Sequence, residues 1–284
     1  MSTAMDRLIE IMARLRDPKT GCPWDIEQNF KTVAPHTLEE TYEVVEAIEQ
    51  NDPKAIKEEL GDLLFQIIFH AQMGREAGLF DLDDIATAVT NKMVERHPHV
   101  FGDRDANSAA AVLKNWEADK AAKRDAQARA ENREPGILDG ISTALPATTR
   151  AVKLQKRAAR VGFDWTNAKD IIAKIREEII ELETEIGAGK VDADAIEDEM
   201  GDVLFVVINL ARKLDVDPET ALRRTNRKFE RRFRTIESRL AAEGRKITDA
   251  SLEEMERIWN ETKTEEKRIN QSQTHGLTRR KNGA

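Results

Sequence analysis

The sequence predicts an all-α fold built as tandem duplicated helical bundles, and three observations carry that expectation. Apolar residues recur at helical spacing along most of the chain. Alternation of apolar and polar residues never holds over the length of a strand, and the runs of β-branched residues fit helical periods. A pattern of acids, aromatics and glycines in the first half returns in the second, and 284 residues suffice for two domains that each bury a core.

In chain order, Leu8, Ile11, Met12 and Leu15 define a first amphipathic helix, closed by Asp17-Pro18 and a Gly21-Cys22-Pro23 turn that precedes Trp24. A second helix is expected from about Thr37, an N-cap with Glu40 three residues on, through Val44, Val45 and Ile48 to the Asn51-Asp52-Pro53 break. A third starts at Pro53 and continues through Leu63, Leu64, Phe65, Ile67, Ile68 and Phe69 to Gly78. It is apolar almost all round, which places it at the centre of a bundle or between subunits. Another follows Asp83, with Ile85, Val89 and Met93, and ends before His97-Pro98-His99. From Asn107 to Arg133 the composition shifts to Ala, Lys, Glu and Arg, read as a helix and then a mobile connector up to Glu134-Pro135-Gly136.

The second half replays the first. Gly162-Phe163-Asp164-Trp165 answers Gly21-Cys22-Pro23-Trp24, Lys228 to Arg232 answers Lys92 to Arg96, and Trp259 answers Trp116. The distances between partners drift only where loops lie, as in a duplicated domain with loop insertions. The expected organisation is a first domain at 1–120, a connector at 121–140, a second domain at 141–265 and a disordered basic tail at 266–284.

Composition excludes several classes. No apolar run approaches the ~18 residues that a membrane span requires. Asp6, Arg7, Glu10 and Arg14 interrupt the N-terminal apolar positions, unlike a signal peptide, and the single Cys22 permits no internal disulfide or cysteine cage. A cytoplasmic protein is expected. A net charge of −8 argues against general nucleic-acid binding, which needs clustered Lys and Arg.

The acids concentrate in one pattern. Glu178 and Glu181, three apart, share a helix face, as do Glu199 and Asp202 on the next helix. Ile171, Ile175, Glu178 and Leu182 lie on one ridge, and Asp202 continues into Phe205, so these acids flank a core. Unpaired carboxylates at an apolar seam repel one another and resist desolvation, which protonation or a bound cation relieves. Mg²⁺, with oxygen ligands, waters and substrate phosphates in its shell, is the natural relief. In a chain with 35% charged residues a single such pair reads as a solvated face. Here the pattern occurs twice, since Glu40, Glu43, Glu59 and Asp62 repeat it with the doubled acids Glu39 and Glu58 included.

Lys228 and Arg232, four apart, flank the stripe Leu222, Thr225, Phe229, Phe233 and Ile236, where cations can meet phosphate oxygens or pair with Glu230 and Glu237. Trp259 and Trp116 either stack on a nucleobase or anchor their helices. No His has a Glu three residues before it, against a ferritin-like di-iron site, and neither a GxxxxGK[ST] loop nor a GxSxG elbow is present.

These residues give the chain a resemblance to the MazG family of nucleoside triphosphate pyrophosphohydrolases. It is carried by Asp6-Arg7-Leu8, Gly21-Cys22-Pro23-Trp24-Asp25, Leu38 to Glu43, Glu59 to Phe65, Arg96 to Phe101 and Lys228 to Arg234, and only the tail after about Lys267 falls outside it. The resemblance implies an all-α, homodimeric enzyme that converts an NTP or dNTP to the monophosphate and pyrophosphate with Mg²⁺, Mn²⁺ being a substitute, and clears unwanted nucleotides. Carried over by position, the metal-binding acids are Glu178, Glu181, Glu199 and Asp202, with Glu40, Glu43, Glu59 and Asp62 as first-repeat counterparts. Lys174, Lys228, Arg232 and Trp259 become nucleotide contacts. Glu177 and Asp198, each beside a metal-binding acid, are candidates for a second metal or for orienting the attacking water. The repeats differ at one position: the first has His36 where the second has Lys174. Two alternatives stand beside this reading, a non-enzymatic helical protein that senses nucleotides or binds a partner, and an enzyme narrowed to one pyrimidine nucleotide of the dUTP or dCTP kind.

Overall fold

The computed structural model describes residues 3–102, 108–188 and 192–281, and among these every regular element is helical. The chain divides into two compact units, Met1–Ala121 and Ala122–Ala284. No helix among the described residues is long and apolar enough to cross a membrane.

In the first unit, α1 (Ala4–Leu15) is capped by Thr3 and Asp6, and a short α2 (Pro23–Glu27) leads into α3 (Phe30–Gln50). Helix α3 begins seven residues before the expected Thr37. The Asn29 side chain accepts from the Lys31 and Thr32 amides and fixes the first turn ahead of Pro35, which then forfeits only its own backbone hydrogen bond. Thr37 does not cap the helix; its hydroxyl donates to the Val33 carbonyl instead. Asn51, left-handed at φ 55°, and the N-cap Asp52 turn the chain directly into α4 (Pro53–Glu76). Helices α3 and α4 form the principal hairpin, against which α1 and α5 (Leu82–Arg96) pack through α4. The core is Met12, Val33, Ile68, Phe69 and Met73, bordered by Leu8, Ile9, Leu64, Phe65 and Leu82. Helix α4 is buried on that side only, since Leu60 and Ile67 are exposed. Phe69 is 1% exposed. Phe69→Ala is expected to destabilise the first unit by about 3–5 kcal/mol in urea unfolding, from the cavity it leaves, and a loss below ~1 kcal/mol would contradict this packing.

After α6 (Pro98–Phe101), α7 runs Ala109–Ala130, past the expected domain end at 120. Its Ala, Lys and Arg content favours helix, and Ala128 near its end is fully buried. The rest of the expected connector is tied down: Arg133 pairs with Asp139, and Arg157 donates to the carbonyls of Ile137 and Asp139. Trp116 anchors α7, its Nε1 donating to the Arg96 carbonyl at 2.6 Å.

The second unit repeats the arrangement. Helices α8 (Ala147–Ala159), α9 (Ala168–Gly187), α10 (Ala193–Lys213), α11 (Pro218–Ala242) and α12 (Leu252–Lys281) follow the order of α1, α3, α4, α5 and α7. Helices α9 and α10 form its hairpin and α8 packs on α10. The supporting core differs. Asn209, 4% exposed, occupies the register of Phe69 and accepts from Arg212 at 2.7 Å, while buried Gln155 of α8 donates to the Phe205 carbonyl at 2.8 Å. The apolar cluster, Ile236, Leu240 and Ile258, lies between α11 and α12 instead. The expected α11 stripe is buried only at that end, with Leu222 and Phe229 exposed. Where a disordered tail was expected from 266, α12 continues to Lys281, and residues 282–284 lie outside the described residues. The Glu, Lys, Arg and Gln of this segment are all good helix formers.

Candidate metal centre

Helix α9 sets Ile171 and Glu178 two turns apart on its buried face, at 0% and 5% exposure. A carboxylate so placed needs a counter-charge, and Lys174 one turn earlier supplies it: its Nζ lies 2.8 Å from Glu178 Oε1 and 2.7 Å from Glu177 Oε1. Those two acids hold the lysine's pKa above its usual value. Glu181 is raised above its ordinary value, chiefly by a hydrogen bond shared with the Glu178 carboxyl, then by burial, with Lys174 opposing. Across the hairpin, α10 brings Glu199 and Asp202, so that ligand oxygens of Glu178, Glu199 and Asp202 all lie within 4.8 Å of one another.

The first unit gathers a different trio of the counterpart acids, Glu40 and Glu43 of α3 and Glu59 of α4, again within 4.8 Å. Burial, then the charges of Glu43 and Asp62, raise the Glu40 and Glu59 carboxyls. Each unit therefore gathers three of its four predicted acids at this spacing. The fourth lies outside the trio in each unit: Asp62 is close enough to raise Glu40 and Glu59, and Glu181 is itself raised by Glu178 and Glu199. The exposed Asp198 also lies outside it, and Glu177 belongs to the Lys174 pair. His36 does not take the place of Lys174: its Nδ1 is 3.7 Å from Glu39, and its ring edges onto Trp24. Three converging carboxylates at the border of a core form the donor set of a hard divalent cation. The residues of both units fit such an ion.

Lys228, Arg232 and Trp259 form a second constellation, between α11 and α12. The Arg232 guanidinium lies over the Trp259 ring at 5.3 Å, and Phe229 packs on that ring at the same distance. Arg232 and Arg231 both bind Glu266, at 2.8 and 2.7 Å, which holds the Glu266 carboxyl below its usual range although burial opposes this. Beside them opens a cavity of about 540 Å³ lined by Arg224, Lys228, Arg232, Lys263 and Lys267. The sequence reading missed Lys263 and Glu266. They stand four and seven residues after Trp259, on its helix face, and this spacing was the available signal.

Tandem helical units, each with an acid cluster across its central hairpin, have the architecture of all-α nucleoside triphosphate pyrophosphatase domains. The chain belongs to the MazG nucleotide pyrophosphohydrolase family, whose domain matches residues 28–101 and 166–236. It is 49% identical to the nucleoside triphosphate pyrophosphohydrolase of Escherichia coli strain K12, over 92% of this chain and 98% of that protein. It is 38% identical to the nucleoside triphosphate pyrophosphohydrolase/pyrophosphatase MazG of Thermotoga maritima, over 91% and 95% of the two chains. A nucleoside triphosphate pyrophosphohydrolase of Mycobacterium tuberculosis is 32% identical over 56% of this chain and 46% of its own.

Proposed function

We propose that the chain hydrolyses ribo- and deoxyribonucleoside triphosphates to the monophosphate and pyrophosphate with Mg²⁺, chiefly through its second repeat, and so clears unwanted nucleotides. The observation that carries this reading is the buried Glu178, held against Lys174 and facing Glu199 and Asp202. Glu178, Glu181, Glu199 and Asp202 would hold the metal. When bound, Mg²⁺ neutralises charge on the phosphate oxygens and stabilises the transition state. Lys174 exchanges its carboxylate partners for a phosphate oxygen, and Lys228 and Arg232 add cations along the triphosphate. Trp259 offers its ring to the base. Glu177, freed from Lys174, and Asp198 orient the attacking water or hold a second metal. Membership of the family sets the non-enzymatic alternative aside.

A homodimer in the cytoplasm completes the reading. Met200, Leu204 and Val207 leave an exposed apolar strip on α10, and Ile179 and Ile180 do so on α9, as expected of a face that another subunit covers. The test is to incubate the full chain with a panel of NTPs and dNTPs in Mg²⁺ and measure pyrophosphate. Release from several nucleotides is expected; release from dUTP or dCTP alone would favour the narrower enzyme, and none at all would overturn the proposal.

A further inference from the structure

Gln66 lies on α4 one turn beyond Asp62 and is 8% exposed. Its Nε2 stands 3.5 Å from Glu40 Oε1, and its buried carbonyl oxygen has no hydrogen-bond partner. Such an oxygen destabilises the fold unless something positive reaches it. In the second unit the same register holds Val206, 5% exposed, so hydrocarbon underlies the acids there.

The compensation of charge differs in parallel. Glu178 is answered by Lys174, whereas His36 turns to Glu39, and Glu40, Glu43 and Glu59 have no ion-pair partner among the described residues. Three close carboxylates without a cation therefore sit beside a buried amide whose nitrogen faces Glu40 and whose oxygen has no partner. A half-turn about the terminal side-chain bond exchanges the two ends of that amide and brings its oxygen to the position near Glu40. Neighbouring oxygens around a hard cation, at ligand distances of 2.1–2.5 Å, stand about 3–3.5 Å apart. The observed separation falls in that range.

We propose that Gln66 completes a divalent-cation site with Glu40, Glu43 and Glu59 that fills without nucleotide, whereas in the second repeat Lys174 occupies the place of that charge until a nucleotide arrives. The proposal rests on the reading of the acid clusters as cation ligands. Its consequence is that the two repeats divide the work: one keeps an ion, the other takes one with its substrate.

The test is a titration of the full chain with Mn²⁺ in the absence of nucleotide, free ion being followed by electron paramagnetic resonance. One equivalent is expected to bind tightly, and Gln66→Val, which installs the second repeat's residue, to weaken it by about tenfold or more. Gln66→Asn keeps the amide but withdraws its oxygen by one carbon, and should weaken binding in the same sense; it decides the matter if the valine variant loses its helical circular dichroism. Glu178→Gln should leave the tight equivalent in place. No tight equivalent, parent-like binding in the folded Gln66 variants, or loss of the ion in Glu178→Gln would each overturn the proposal. Pyrophosphate release by the parent chain decides the pyrophosphatase reading separately. A chain that releases pyrophosphate but keeps no ion overturns only this inference.

Discussion

Glu178→Ala is expected to reduce Mg²⁺-dependent pyrophosphate release by on the order of a thousandfold or more, because several kcal/mol of transition-state stabilisation depend on a correctly held metal. The fold should survive. Glu178 is a buried acid whose removal relieves repulsion with Glu181 and Glu199, and Lys174 keeps Glu177 as a partner. Asp202→Ala should behave alike from the opposite side of the hairpin, although its side chain is more exposed and little packing depends on it. The measurement pairs pyrophosphate release at saturating Mg²⁺ with circular dichroism. Near-normal turnover in both folded variants would sink the metal assignment, while loss of helicity would make Glu178 a structural residue first.

Lys174→His, which copies the first repeat, is expected to cost on the order of a hundredfold in rate, the value of a charge-assisted phosphate contact that acts in the transition state. An imidazole is mostly neutral at pH 7, so the deficit relative to the parent should shrink as the pH falls towards 6 and the ring takes up its proton. Glu40→Ala should cost much less than either change. His36 already stands where a permanent cation would be needed, and it faces Glu39 rather than the acid trio. Equal losses from Glu40→Ala and Glu178→Ala would return the first repeat to the catalytic centre and refute the ranking.

How much of this was legible beforehand follows from the length scale of each signal. Helical periodicity is local, so the hairpin of α9 and α10 and the inward register of Glu178 could be read from Ile171 and Leu182. The duplication could be read because it copies whole motifs. The start of α3 was missed because Thr37, with Glu40 three residues on, has the pattern of an N-cap, and only the geometry of the Asn29 side chain shows that the first turn forms ahead of Pro35. The fate of α12 beyond 265 was missed for a related reason: a polar composition is compatible with an exposed helix as well as with disorder. Gln66 carried no signal at all, since a glutamine among apolar residues acquires meaning only when its amide is found beside Glu40. The opposed roles of Lys174 and His36 were visible as a difference in charge, but the turn of His36 towards Glu39 is a matter of rotamer.

The replacement of Phe69 by Asn209 at one register has a consequence for how a duplicated chain assembles. Two copies with similar helices invite misassembly, in which a helix from one copy docks in the other. Were α1 to settle on α10, the Phe205 carbonyl would lose the donor that Gln155 of α8 gives it. Were α8 to settle on α4, the buried amide of Gln155 would face the apolar Ile68, Phe69 and Met73. Each error strands a buried polar group at a cost of about 1–3 kcal/mol. The acid hairpins can thus stay alike while their supports, one greasy and one hydrogen-bonded, act as a molecular address that returns each helix to its own half.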